Sequence, residues 1–297
     1  MRKKNRILLL SLAAVLTLGA GACVPSARDT GQTKAQAGTE ASAGMESLVG
    51  TEAPAGAEGA LVDIDDTMVS LDSKPQKSLV RVPTASGTVT YGNDTVSVDA
   101  SNVQNGYVMV QYTGSVKKIK VQISKGDLTY TYDLNARDAY EVFPMSEGSG
   151  TYKIKVFENV SGTQYSQAFS QDVQVSLADQ FEPFLYPNQY VNFSEGSAAV
   201  QKGAQLAAGA KDDLGVVDAI YNYVVDNLTY DKEKAASVQS GYLPDVDQVL
   251  SVKKGICFDY AALMVSMLRS QDIPAKLVVG YTGDAYHAWV NVYIDGV

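Results

Sequence analysis

The sequence contains one histidine, His287, and only one cysteine outside its first 23 residues, Cys257. A thiol is an effective nucleophile only as the thiolate, and an imidazole is the usual neighbour that removes its proton. Finding both residues within one short segment therefore predicts an active-site Cys–His pair. The alternative is a buried core cysteine and an unrelated surface histidine, because free cysteines are among the most buried residues.

The elements around this pair can bring the two side chains together. Residues 257–270 carry a helical pattern of apolar residues, and Pro274 lies beyond the helix end. Cys257 then lies in the first turn, where free N–H groups and the helix dipole are expected to lower the pKa of its thiol. Two strands follow, 276–281 and 287–294, and a hairpin of this length can place His287 beside the start of the helix.

Several motifs follow one another along this part of the chain: Asn227-Leu228-Thr229-Tyr230-Asp231, Gly255-x-Cys257, Ile273-Pro274-Ala275, Val279-Gly280-Tyr281 and His287-Ala288-Trp289. Together they resemble the transglutaminase-like superfamily, the papain-related thiol enzymes, over about residues 195–297. The resemblance implies an α+β core of a helix and an antiparallel sheet that carries a Cys–His–Asp triad.

The resemblance also implies roles for individual residues. Cys257 is expected to form a thioester with an amide carbonyl, and His287 is expected to move the proton. The backbone N–H of Cys257 would hold the oxyanion, with help from a side chain near Tyr230. Trp289 is expected either to pack the wall of the site or to contact substrate.

The acid of the triad is not identified in this sequence. In the family it follows the histidine, and we expect it after Val297, in a domain that is incomplete at its C-terminus. Asp295 belongs to an Asp-Gly pair typical of a tight turn. Asp259 and Asp284 are expected to be solvated, since aspartate is mostly exposed.

The residues before this domain indicate two further regions. Residues 23–84 are rich in small and polar residues, which predicts a disordered linker. Residues 85–178 contain about seven short alternating segments separated by Gly, Asn and Asp, typical of an all-β immunoglobulin-like sandwich. Residues 179–297 would form the transglutaminase-like domain.

The N-terminus indicates export. Residues 1–22 combine four basic residues, a short apolar run and small residues before Cys23, which resembles a bacterial lipoprotein signal peptide. Cys23 would then be lipidated and hold the protein on the outer face of the cell membrane; ordinary secretion is the alternative. Without residues 1–22 the chain has 20 basic and 33 acidic residues, a net charge of −13, so nucleic acid is an improbable partner.

Two functions remain open. The first is an extracytoplasmic, membrane-tethered thiol enzyme that hydrolyses amides or transfers the acyl group to an amine, with a protein or peptide substrate at the cell surface or cell wall. The second is a non-catalytic binding or scaffolding lipoprotein with a degenerate domain. No cofactor is predicted, and one histidine with one cysteine cannot form a closed zinc site.

Overall fold

The computed structural model describes residues 79–283 and 285–294. The predicted signal peptide, the lipidation of Cys23, most of the predicted linker, Asp284 and Asp295 lie outside the described residues. Within the described ranges, no helix is both long and apolar enough to cross a membrane.

The alternating segments form a sandwich of two four-stranded antiparallel sheets, in the orders β1-β2-β3-β6 and β5-β4-β7-β8. The strands are β1 (Thr90–Gly92), β2 (Val96–Asp99), β3 (Tyr107–Tyr112), β4 (Ile119–Lys125), β5 (Leu128–Asp133), β6 (Glu141–Pro144), β7 (Gly150–Ser161) and β8 (Gln164–Val175). Every second residue of the central strands is buried in the core between the two sheets. The chain passes between the sheets after β3, β5 and β6, as in immunoglobulin-like sandwiches.

A tyrosine corner supports the predicted immunoglobulin-like arrangement. Tyr152 lies near the start of β7 and is buried in the core. Its hydroxyl donates to the Gly148 carbonyl at 2.8 Å and accepts from the Glu147 N–H at 2.9 Å. A tyrosine that bonds back to the preceding turn in this way pins one strand of such sandwiches.

The second region is built around one central helix. Its elements are α1 (Ala198–Ala207), α2 (Asp213–Asn227), β9 (Thr229–Tyr230), α3 (Lys232–Ser237), α4 (Val246–Val252), β10 (Lys254–Gly255), α5 (Cys257–Arg269), β11 (Ala275–Thr282) and β12 (Ala285–Val292). Helix α5 packs against α1, α2 and α4 as well as against the β11–β12 hairpin. A helix on an antiparallel sheet confirms the predicted α+β class.

The far end of α5 is fixed by a buried arginine. Arg269 donates from Nε and Nη2 to the Ala275 carbonyl, at 2.9 and 2.8 Å, and from Nη1 to the Tyr186 carbonyl. Burial lowers the pKa of Arg269 to about 9, so the guanidinium is still charged at neutral pH. The side chain therefore joins α5 to β11 and to the segment between the two regions.

Residues 79–84 belong to the predicted linker, yet they make specific contacts with both regions. Arg81 forms ion pairs with Glu182 and Asp272, each at 2.7 Å. The Leu79 N–H donates to the Ser270 carbonyl at 2.8 Å, and the Thr84 N–H donates to the Tyr107 hydroxyl at 3.1 Å. The prediction of a disordered linker up to residue 84 is therefore wrong for these six residues.

Candidate active site

Cys257 is the first residue of α5. The backbone N–H groups of Ala288, Phe258 and Cys257 itself act to lower the pKa of its half-buried thiol. Ala288 belongs to β12, and the hairpin lies directly against α5. These N–H groups favour a negative charge on the sulfur.

His287 precedes Ala288 in β12 and pairs with Gly280 of β11. The imidazole is half-buried and lines a cavity of about 70 Å³ together with Cys257. The two residues identified in the sequence are thus brought to one site. The remaining lining is apolar or aromatic: Tyr221, Val224, Val225, Tyr260, Ala261, Met264, Ala288, Trp289, Val290 and Val292.

Burial controls the electrostatics of the pair. Burial raises the pKa of the Cys257 thiol, and the nearby Asp259 raises it too, although the backbone N–H groups act in the opposite direction. Burial also lowers the pKa of the His287 imidazole. The expected lowering of the pKa of Cys257 by the helix end is therefore wrong, because the loss of water outweighs the N–H donors. Both shifts favour the neutral thiol and the neutral imidazole.

Asp259 is fully buried, so the prediction that it is solvated is wrong. Its carboxylate accepts from Lys234 Nζ at 2.7 Å, from the Tyr242 hydroxyl at 2.5 Å and from the Ile256 N–H at 2.8 Å. The last bond runs from the third residue of α5 back to the residue before the helix and closes its first turn. Asp259 therefore holds the backbone on both sides of Cys257 in place.

Gly255 has a steric role in this turn. A Cβ atom added to Gly255 would lie 2.7 Å from the Asp259 Cβ and 3.0 Å from its Oδ2. Only glycine leaves room for the carboxylate to reach the Ile256 N–H. The acidic residue in the first turn of the predicted helix was the sequence signal for Asp259. Nothing local indicated Lys234 and Tyr242, which lie 25 and 17 residues upstream of Asp259.

Trp289, the predicted wall residue, and Tyr230, expected near the oxyanion, occupy different positions. Trp289 lines the cavity, and its ring lies over Gly280, where a Cβ would be 3.4 Å from Cη2. Tyr230 pairs in β9 with Gly255 of β10, and its ring centroid lies 6.4 Å from that of Tyr260. Tyr230 is therefore beside the strand that leads into Cys257. Within the described part of the chain, no group of three or more His, Cys, Asp or Glu side chains could hold a metal.

The geometry can be compared with known proteins. The family model described as the transglutaminase-like superfamily matches residues 201–297. The uncharacterised protein YebA of Bacillus subtilis is 26% identical over 179 residues, which are 52% of this chain and 24% of that protein. The UPF0252 protein MJ1282 of Methanocaldococcus jannaschii is 31% identical over 97 residues, 29% of this chain and 28% of that protein. The chain thus spans about a quarter of the length of these curated relatives.

Two solved structures are similar at 16% sequence identity. A candidate cysteine protease from Cytophaga hutchinsonii has a TM-score of 0.37, with 70% of this chain and 76% of that chain covered. The periplasmic domain of TgpA from Pseudomonas aeruginosa, solved with ethylmercury bound, has a TM-score of 0.30, with 71% and 72% covered. The similarity to the transglutaminase-like superfamily therefore rests on the sequence match of residues 201–297.

Proposed function

We propose that this chain, whose residues 201–297 form a domain of the transglutaminase-like superfamily, is a thiol enzyme that acts on amide bonds through a thioester on Cys257. One observation carries the proposal: Cys257, at the start of a buried helix, and His287, on the adjacent strand, line the same cavity. A nucleophile and a base in one partly dehydrated site are the minimum that this chemistry requires.

The reaction starts from the neutral pair. As an amide carbonyl reaches Cys257 Sγ, the S–C bond forms, the imidazole of His287 takes the thiol proton, and negative charge moves to the carbonyl oxygen. N–H groups at the start of α5 stabilise that oxygen. The imidazolium then gives its proton to the amide nitrogen, the C–N bond breaks, and a thioester remains.

The second half of the reaction, in which the thioester breaks down, decides between hydrolysis and transfer. Water or a primary amine attacks the thioester carbon while His287 takes the proton of the attacking group. The C–S bond then breaks, and the proton returns to the sulfur. We further propose that an acid C-terminal to Val297 orients the imidazole. Within the described residues, burial is the sole cause of the lowered pKa of His287, and no carboxylate raises it.

The experiment is an incubation of the full chain with a glutamine-containing protein and a labelled primary amine. Incorporation of label indicates transfer, whereas ammonia release or cleavage without label indicates hydrolysis. Cys257→Ser and His287→Ala are expected to abolish either activity, and Asp212→Ala, which alters only the cap of α2, is expected to retain it. No turnover of any amide by the full chain would contradict the proposal.

The non-catalytic alternative is favoured by one observation, the raised pKa of Cys257. In this case the protein would be a surface binding or scaffolding module, and the reactivity of its thiol would not depend on His287. An alkylation rate of Cys257 whose dependence on pH is unchanged by His287→Ala would support this second function.

We also propose that Cys23 carries a lipid and holds the enzyme outside the cell membrane, facing protein or peptide substrates at the cell surface. The support is the sequence of residues 1–23. Labelled fatty acid in the wild-type protein and its loss in Cys23→Ser would agree with this location. The intact mass of the membrane-extracted protein would also show whether the chain extends past Val297.

A further inference from the structure

The turn between β5 and β6 of the sandwich holds a side chain of the following region. Asp133 is the last residue of β5, and Glu141 is the first residue of β6. Gln189, in the segment before α1, donates from Nε2 to the Asp133 carbonyl at 2.5 Å and to the Glu141 carboxylate at 2.6 Å. Gln189 is buried. Because a buried amide needs partners for its N–H groups, these two bonds fix the segment on the sandwich.

The backbone around Gln189 is closed into a tight turn. Asn188 and Val191 exchange both backbone hydrogen bonds, at 3.0 and 3.2 Å. The side-chain oxygen of Asn188 also accepts from the Tyr190 N–H at 3.0 Å. Gln189 and Tyr190 are the two central residues of this turn. The position of the Tyr190 ring is therefore tied to the bonds that Gln189 makes to the sandwich.

Phe258 receives the Tyr190 ring in the first turn of α5. The ring centroids of Tyr190 and Phe258 are 5.6 Å apart, with 79° between the ring planes. Tyr242 approaches Phe258 in the same edge-to-face manner, with 6.4 Å between centroids and 78° between planes. Edge-to-face packing is a favoured arrangement of aromatic rings. The side chain that follows Cys257 is thus held between two tyrosines.

The second of these tyrosines also leads back to the sandwich. Gly241 precedes Tyr242 and lies beside the end of β5, since a Cβ atom on Gly241 would be 3.4 Å from Asp133 Oδ2. The Tyr242 hydroxyl donates to Asp259 in the first turn of α5. Asp133 is therefore adjacent to two segments that converge on the start of the helix, one through Gln189 and one beside Gly241.

We propose that Gln189 is a positioning residue through which the sandwich fixes the first turn of α5. It acts through Tyr190 and Phe258. The backbone N–H of Phe258 favours a negative charge on the sulfur of Cys257, so an ordered Phe258 side chain keeps this donor in place. The effect on turnover rests on the proposed function, whereas the ordering of the helix start does not.

The test is the hydrogen exchange of backbone amides at the two ends of α5 in the full chain. The Tyr260 N–H bonds to the Ile256 carbonyl at the start, and the Ser270 N–H bonds to the Ser266 carbonyl at the far end. Gln189→Leu removes the donor. It is expected to speed exchange of the Tyr260 amide about fivefold to tenfold, as for the loss of one hydrogen bond, and to leave the Ser270 amide unchanged.

Gln122→Leu is the matched control, because Gln122 donates to Thr131 within one sheet of the sandwich, and it is expected to leave both amides unchanged. An unchanged Tyr260 amide in Gln189→Leu would overturn the proposal. Equal acceleration at both ends of α5 would do the same, because it would show a loss of global stability alone. Phe258→Leu is expected to reproduce the effect, and the double variant is expected to add nothing to it; additive effects would refute the route through Phe258.

For turnover, Gln189→Leu is expected to lower kcat about tenfold with little change in KM, because the variant misplaces the thiol without removing a contact to substrate. Gln122→Leu is expected to retain the wild-type kcat. A raised KM at unchanged kcat would contradict a positioning role. If no amide is turned over at all, the proposed function fails, and the exchange rates still decide whether the sandwich fixes the helix start.

Discussion

At the residue scale, burial shifts the pKa values of Cys257 and His287 in opposite directions. Burial raises the pKa of the thiol and lowers that of the imidazole. Each shift disfavours a charge, so the thiolate–imidazolium pair is disfavoured twice. Both shifts therefore favour a neutral thiol beside a neutral imidazole.

The thiol can be titrated directly. The alkylation rate of Cys257 by iodoacetamide is expected to rise with an apparent pKa above that of an unstructured cysteine peptide, because burial disfavours the thiolate. This apparent pKa is checked by measuring the alkylation rate of the full chain across the alkaline pH range. The unstructured cysteine peptide is the control. An apparent pKa below the peptide value would mean that the N–H donors outweigh burial.

His287 is expected to make stability dependent on pH. Its pKa is lowered from 6.5 in the folded chain, so the unfolded chain binds more protons below that value. Its contribution is fully present above pH 6.5 and is lost as the pH falls through the lower folded pKa. Urea unfolding of the wild type and of His287→Gln should show a shallower fall in the variant below pH 6.5; parallel curves would contradict the shift.

At the scale of elements, the start of α5 is held by a polar cluster that joins three parts of the chain. Asp259 lies in α5, Lys234 in α3, and Tyr242 in the segment between α3 and α4. All three hydrogen-bond one another around a carboxylate that has no contact with water. A buried charge is tolerated only with such partners, so the cluster fixes α3 against the helix that begins at Cys257.

Asp259→Ala is expected to lower the free energy of unfolding by about 2–4 kcal/mol, because it leaves Lys234 and the Ile256 N–H without their acceptor. Chemical denaturation measures the loss, and the alkylation rate of Cys257 is expected to change with it. Asp212→Ala serves as control, since it removes the cap of α2 at a cost of about 1 kcal/mol and should leave Cys257 unaffected. Equal effects of the two variants on Cys257 would refute a specific role for the cluster.

The sequence predicted the long elements well and the short ones poorly. The helix expected over 257–270 is α5, Cys257–Arg269, and the strand expected from His287 begins at Ala285. Helices α3 and α4 have six and seven residues and no extended apolar pattern, so their stability comes from tertiary contacts. The burial of Asp259 and the raised pKa of Cys257 were missed for the same reason, because both depend on distant residues.

At the scale of the whole molecule, Tyr190 connects the two cores. Its ring centroid lies 5.3 Å from that of Tyr132 in the sandwich and 5.6 Å from that of Phe258 in α5. One side chain thus belongs to both hydrophobic clusters. The sandwich therefore contacts the start of α5 through Tyr190, whose ring packs against Phe258, the residue after Cys257.

Tyr190→Ala is expected to separate the unfolding of the two regions, because a large, partly buried ring is lost where they meet. Truncation of a fully buried aromatic ring costs about 3–5 kcal/mol, which is the upper limit here. Calorimetry of the full chain should show one cooperative transition in the wild type and two in the variant. Tyr165→Ala on β8 is the control and should keep one transition. Two transitions in the wild type would show that the regions are already independent.

The contacts of residues 79–81 also have a mechanical consequence. Leu79 bonds to Ser270 and Arg81 to Asp272, both at the C-terminal end of α5, whose 13 residues span about 20 Å. Tension arriving along the chain from its N-terminal side is transmitted to that end of the helix, while Cys257 lies at the other. A pull would therefore strain the Arg81 ion pairs before it displaced the thiol.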